Sequence, residues 1–186
     1  MGKPAHRFFF ALFPPIGLAR AIVQKAGPLT EGARMMRPER LHVTLDILDD
    51  FVEYPNDIAQ ALIAAGARVS AAPVEVTLDR LSGGAHTIAL RPRLRQIGLH
   101  RLQRSIATAR DAAGIRARAG YRFSPHMTLS YRTGAPFSRP VAPIAWQAAE
   151  FVLIHSLIGR TVHEVIGRWP LTGGADMSDP AQPALF

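Results

Sequence analysis

The chain alternates between short runs that are almost wholly apolar and longer segments whose apolar residues recur every three or four positions. HRFFFALF (6–13) is apolar on both faces and is cut off by Pro14-Pro15, the pattern of a buried strand. IGLARAIVQKAG (16–27) has helical spacing, with Leu18, Ile22 and Val23 on one face and Gly27 as a stop. LHVTLDIL (41–48) alternates as a strand does. PNDIAQALIAAGA (55–67) reads as a helix capped by Asn56 or Asp57. VEVTLDRL and HTIALRP flank Ser82-Gly83-Gly84 and predict a hairpin. In QIGLHRLQRSIATARDAAG (96–114) Leu99, Leu102, Ile106 and Ala109 face inward, the arginines outward, and Gly114 closes the helix. HMTLSY is a strand, and FVLIHSLI and VHEVIGRWPL are two more around Gly159-Arg160. The order is strand, helix, strand, helix, two strands, helix, three strands, which predicts an α+β fold with mostly antiparallel pairing.

Composition narrows the class. The 186 residues are 48% hydrophobic, enough for one core or two small fused lobes. No apolar run approaches the length that spans a bilayer, and the apolar stretch near the N-terminus is too short for a signal peptide. There is no cysteine, hence neither disulfide nor thiolate chemistry, and a reducing cytoplasm is the expected compartment. Residues 172–186 (TGGADMSDPAQPALF) read as a loose tail after a domain spanning 1–171. No further apolar face is evident, so a monomer is expected. The net charge is +8, and 20 of the 22 basic residues are arginine. A guanidinium binds phosphate through two donors at once, so a phosphate-bearing partner suits this charge.

The chemistry lies in a repeated word. RLHVTLDILDD (40–50) and SPHMTLSYR (124–132) both contain His-x-Thr-Leu, each on a strand that follows a helix. Two such words by chance have a probability on the order of one in a thousand. Residues i and i+2 of a strand share a face, so His42 and Thr44 point one way, as do His126 and Thr128. Val43, Leu45, Met127 and Leu129 take the core side. Two such strands brought together give a cleft with two imidazoles and two hydroxyls. Hydroxyls donate to phosphoryl oxygens, while one neutral and one charged imidazole serve as general base and general acid at phosphorus. Such a site requires neither a metal nor a cofactor; a threonine beside a histidine is a poor metal-ligand set. The other histidines lack this support: His86 and His100 are expected at the surface, His155 and His163 as structural. The partner that orients each imidazole is expected to lie far away in sequence. An outward ring of Phe8-Phe9-Phe10 would offer a base a stacking surface.

These residues resemble the 2H phosphoesterase superfamily, and within it the bacterial RNA 2′,3′-cyclic phosphodiesterases, also called the 2′-5′ RNA ligase family. FFFALFPP is similar to that family's opening strand, RPERLHVTL and FSPHMTLSYR to its two signatures, and FVLIHSLIGR…GRWPL to its closing strands, so the likeness covers residues 6 to 171. The resemblance implies two pseudo-symmetric lobes of antiparallel sheet, with helices outside, around a central cleft. It implies hydrolysis of an RNA 2′,3′-cyclic phosphate to a 2′-phosphomonoester, with His126 as general base, His42 as general acid, and Thr44 and Thr128 holding phosphoryl oxygens. The substrates so implied are RNA ends or nucleotides bearing the cyclic phosphate, with 2′-5′ ligation as reverse-type chemistry. Where the family carries two arginines near its second signature, this chain has Tyr121 and Tyr131, with Arg122 and Arg132 one step away. Arg132 is the phosphate-binding candidate, on condition that the strand ends or bulges there. Two alternatives stay open: another 2H phosphodiesterase acting on 2′-5′ linkages or small cyclic nucleotides, and a non-catalytic RNA-binding protein.

Overall fold

The computed structural model describes residues 6–27, 34–131, 134–160 and 162–173. Strands β1 (His6–Leu12), β2 (Val43–Ile47), β3 (Val74–Gly83), β4 (Thr87–Arg91), β5 (Met127–Tyr131), β6 (Phe137–Ala148), β7 (Glu150–Leu157) and β8 (Val162–Pro170) form one sheet, in the order β6-β3-β4-β5-β2-β1-β7-β8. Every pairing is antiparallel. Helices α1 (Ile16–Ala26), α2 (Asn56–Ala67) and α3 (Ile97–Ala112) complete the α+β fold. The two lobes are the two halves of this continuous sheet, each built around a strand–helix–strand unit: β1-α1-β2 in one, β4-α3-β5 in the other.

All three helices cover the same face. Ile22, Leu62, Leu99, Leu102 and Ile106 join Phe8, Phe10, Leu12, Val43, Leu45, Met127 and Leu129 in one core. Each such aliphatic or aromatic side chain stabilises the fold by about 1.5–3 kcal/mol relative to exposure. The other face carries a smaller apolar cluster of Phe9, Ala11, Val152 and Ile154. The first strand therefore shows both faces of its apolar run, as a central strand must.

Several expectations need correction. Strand β6 does not stand out in the sequence because Pro140 and Pro143 interrupt it. It lies at the sheet edge, where a missing N–H removes no inner ladder bond, and its register with β3 shifts between Leu78 and Arg80. The β3–β4 turn comes later than Ser82: β3 runs to Gly83, and Gly84 N–H donates to Thr87 O at 2.8 Å. Neither Asn56 nor Asp57 caps α2; Pro55 precedes the helix without a side-chain cap. Arg110 does not face outward with the other arginines of α3. It is 5% exposed, and its Nε donates to Asp46 Oδ2 at 2.5 Å. Gly114 ends α3 at φ 74°, a left-handed conformation that favours glycine. Of the expected tail, Gly173 N–H donates to Ala71 O at 3.0 Å, and residues 174–186 lie outside the described residues.

Candidate active site

The two central strands, β2 and β5, carry the repeated word. They meet through one rung, Val43 opposite Met127. Both of these side chains are fully buried in the helix-covered core. Their sequence neighbours therefore point to the opposite face. Stepping out one residue in each direction along the antiparallel register sets Thr44 across from His126 and His42 across from Thr128. The two imidazoles and two hydroxyls form a square patch, related by a pseudo-twofold axis through the Val43–Met127 rung.

The flanking strands repeat this symmetry. The β1–β2 register shifts between Phe10 and Ala11, so that Ala11 lies beside Thr44. The β4–β5 register shifts between Ile88 and Ala89, so that Ala89 lies beside Thr128. A bulge at the same place in each half and an alanine beside each threonine leave both hydroxyls open to the cleft.

Local backbone, and not a distant group, orients the imidazoles. His42 Nδ1–H donates to Arg40 O at 2.7 Å, and His126 Nδ1–H donates to Ser124 O at 2.8 Å. In both cases the acceptor is the carbonyl two residues upstream. A proton fixed on Nδ1 leaves Nε2 to accept or donate in the cleft. Burial pushes the His42 pKa down to about 4; the Arg40 carbonyl opposes this, while His126 and Arg40 add to the lowering. Burial also lowers His126, against the pull of Ser124 O and with a contribution from the cation of Arg91.

The two histidines differ in their surroundings. Around His42 lie Phe9, with ring centroids 5.0 Å apart, Phe13 at 6.4 Å and His163 at 5.7 Å. Arg40 Nη2 donates to His163 Nε2 at 3.0 Å, and burial, ahead of Arg40, takes His163 down to about 4. His163 thus lies beside His42 at the edge of the candidate site, a placement its strand alone did not suggest. Phe9 is the outward ring of the Phe8-Phe9-Phe10 run. His155 does sit within structure, its Nε2 2.8 Å from His6 Nδ1 and its ring stacked on Phe8. His86 is exposed, and His100 is half-buried, its Nδ1–H donating to Gln96 O at 2.9 Å.

The structure does not bring together every candidate. Tyr121 turns its hydroxyl to Leu45 O at 3.2 Å, strapping β2 from behind, and burial raises its pKa. Tyr131 is 65% exposed, and Arg122 is exposed. Arg132 lies outside the described residues. Beside His126 stands Arg91 of β4, which the sequence pattern alone does not single out. The strand alternation in HTIALRP puts Thr87, Ala89 and Arg91 on one face, but nothing local shows that β4 lies against β5. Among the described residues no group of three His, Cys, Asp or Glu side chains is placed to hold a metal ion.

This architecture is shared with solved proteins. E. coli LigT in its apo form superposes with a TM-score of 0.73 at 25% identity, covering 91% of this chain and 99% of that one. LigT complexed with 3′-AMP gives 0.74 at 24% identity, with 90% and 99% covered. TT0787 of Thermus thermophilus gives 0.66 at 23% identity, with 91% and 100% covered. No protein with a curated description matches the chain. The family model of the 2′-5′ RNA ligase superfamily matches residues 14–157, which take in both His-x-Thr strands and strand β4 beside the second. The chain belongs to the 2′-5′ RNA ligase superfamily and has the 2H phosphoesterase fold.

Proposed function

We propose that this protein hydrolyses 2′,3′-cyclic phosphates at RNA ends or on nucleotides, leaving a 2′-phosphomonoester. His126 and His42 act as base and acid, and Thr44 and Thr128 grip the non-bridging oxygens. Water attacks phosphorus in line with the P–O3′ bond. His126 Nε2 takes the proton of the water, the P–O3′ bond breaks, and His42 Nε2 delivers a proton to O3′. The observation that carries this reading is the matched pair of imidazoles across one rung, each with Nδ1 fixed on a backbone carbonyl and Nε2 facing the cleft. Burial, with a smaller contribution from the cation of Arg91, favours a neutral, proton-accepting His126. LigT has been crystallised with 3′-AMP, ATP, NADP+ and phosphate, which supports a phosphate-bearing ligand in a cleft of this fold.

The test uses a short RNA ending in a 2′,3′-cyclic phosphate, with EDTA present. Wild-type protein is expected to make the 2′-phosphate, and His42→Ala and His126→Ala to lose about 10²–10⁴-fold in rate. Binding without turnover by the wild type would favour an RNA-binding role, and that binding would survive both substitutions. Turnover of small cyclic nucleotides but not of the RNA would assign the cleft to a different 2H phosphodiesterase reaction.

A further inference from the structure

We infer that Arg91 is the phosphate-gripping cation of this cleft, holding the non-bridging oxygens of the substrate phosphoryl group on the His126 side. The inference rests on the reading of the cleft as a phosphodiesterase site.

The first observation is position. Leu90 pairs with Met127, so the next rung sets Arg91 across from His126. The row continues across the sheet, from Arg80 through Arg91 and His126 to Thr44 and Ala11. The guanidinium stem therefore projects from the same face as the two imidazoles, one strand away from His126.

The second is the state of its charge. Arg91 Nε donates to Ser82 Oγ at 3.0 Å, and Nη1 donates to Ser124 Oγ at 3.2 Å. Both partners are neutral. Arg7 and Arg118 share Asp50, Arg93 has Asp79, Arg110 has Asp46 and Arg168 has Glu150. Among the described residues Arg91 has no carboxylate within ion-pair distance, although it is half-buried and burial alone lowers its pKa. Arg80 stands directly across from it, so the nearest charge in the ladder is of the same sign. Two hydroxyls orient this fork without neutralising it, and among the described residues Nη2 has no protein partner. A guanidinium in this condition is complementary to a phosphoryl group, whose charge it meets through parallel N–H donors.

The third is asymmetry. Leu12 pairs with Val43, so the slot beside His42 that corresponds to Arg91 is filled by Phe13. One half of the pseudo-symmetric patch offers a cation and the other offers rings. Phosphoryl charge belongs on the Arg91 side, and the apolar face of a ribose or base on the Phe9–Phe13 side.

The experiment compares wild type, Arg91→Lys, Arg91→Gln and Arg80→Gln in two measurements. NMR follows the ring resonances of His126 during titration with inorganic phosphate, and steady-state kinetics follow a 2′,3′-cyclic nucleotide. Arg91→Gln is expected to weaken phosphate binding at least tenfold and to lower kcat/KM about 10²-fold. It should also raise the pKa of His126 in the free protein, because a nearby cation is removed; loss of phosphate binding in Arg91→Lys, which keeps that charge, separates gripping from mere proximity. Arg91→Lys keeps the charge and the stem but not the fork, so it should fold as wild type and still lose about tenfold in kcat/KM. Arg80→Gln should change each quantity less than about threefold. Wild-type phosphate affinity and turnover in both Arg91 variants would overturn the inference and leave the phosphodiesterase reading standing. A wild type that fails to turn over any cyclic phosphate, yet loses phosphate binding on Arg91→Gln, would sink the phosphodiesterase reading and keep the anion site.

Discussion

His42 presents a physical problem that can be measured directly. Its pKa of about 4 makes it neutral in the free protein at pH 7, whereas the proposed acid must carry a proton. The depression from 6.5 corresponds to about 3 kcal/mol against the imidazolium. A phosphate monoanion at about 4 Å, at an effective dielectric constant near 20, contributes about 4 kcal/mol in the opposite direction. That equals about three pKa units, enough to bring the bound-state value close to neutrality. In the proposed mechanism the substrate's own charge would thus supply the protonated acid. The assay is NMR titration of the His42 ring between about pH 3 and pH 8, with and without inorganic phosphate. The expected midpoint is near 4 without phosphate and at least two units higher with saturating phosphate. In kinetics, the bell of kcat/KM, which reports the free enzyme, should have both limbs below 6.5, since His42 and His126 are both lowered; the bell of kcat should lie at higher pH. Linkage adds a sign: the unfolded chain binds more protons than the native one between 6.5 and about 4, so stability falls as pH drops through that window. A His42 midpoint near 6.5 in the free protein, or one that phosphate leaves unmoved, would refute the reasoning.

Three further perturbations follow from the packing. Arg110→Met strips the partner from Asp46, which is 1% exposed, and should cost about 3–5 kcal/mol in urea unfolding at about pH 8. Burial already raises the Asp46 pKa against Arg110, and the variant raises it further; the native state then binds the extra proton, so the loss should shrink on titration toward about pH 5. Gly66→Ala would place a Cβ 2.5 Å from the Trp169 ring, which is stacked on Phe151 with centroids 5.1 Å apart. This overpacking should cost about 1–3 kcal/mol, read as a lower Tm in calorimetry, and an unchanged Tm would show that the ring has room to move. Phe13→Ala removes a ring beside His42 and should raise KM for a cyclic nucleotide about tenfold while changing kcat less, as expected if the ring supports the base or ribose.

Much of this architecture is legible in the chain because local pattern and global role agree. The two His-x-Thr words, the alternation that puts their apolar residues in the core, and the helix with Leu99, Leu102 and Ile106 all follow from periodicity. Strand β6 escapes because its prolines contradict strand propensity and are tolerated only through its edge position, a fact of topology. Arg110 reads as a surface residue because helical spacing cannot show the carboxylate of Asp46 beneath it. His163 and Arg91 escape for a related reason. Each acquires its role from a neighbour far away in sequence: His163 from His42 and Arg40, Arg91 from His126. The carbonyls that orient the two imidazoles are the opposite case, only two residues upstream, but a backbone acceptor leaves no mark on side-chain identity.

The single rung between β2 and β5 has a mechanical consequence. Elsewhere the strands are laced by four to nine paired positions; here β2 and β5 share the single pair Val43–Met127, and the segment before β2 adds the bridge Met35–Ser130, with Met36 N–H donating to Leu129 O at 2.7 Å. The strand ladder is sparsest along the line on which the two imidazoles face each other. Flexing about that line would change the spacing between the halves. A phosphoryl group held by Thr44 on one side and Thr128 on the other would act as a staple across this seam. Occupancy of the cleft would then register as stiffness, in slower amide exchange at the centre of the sheet, before any bond to phosphorus is broken.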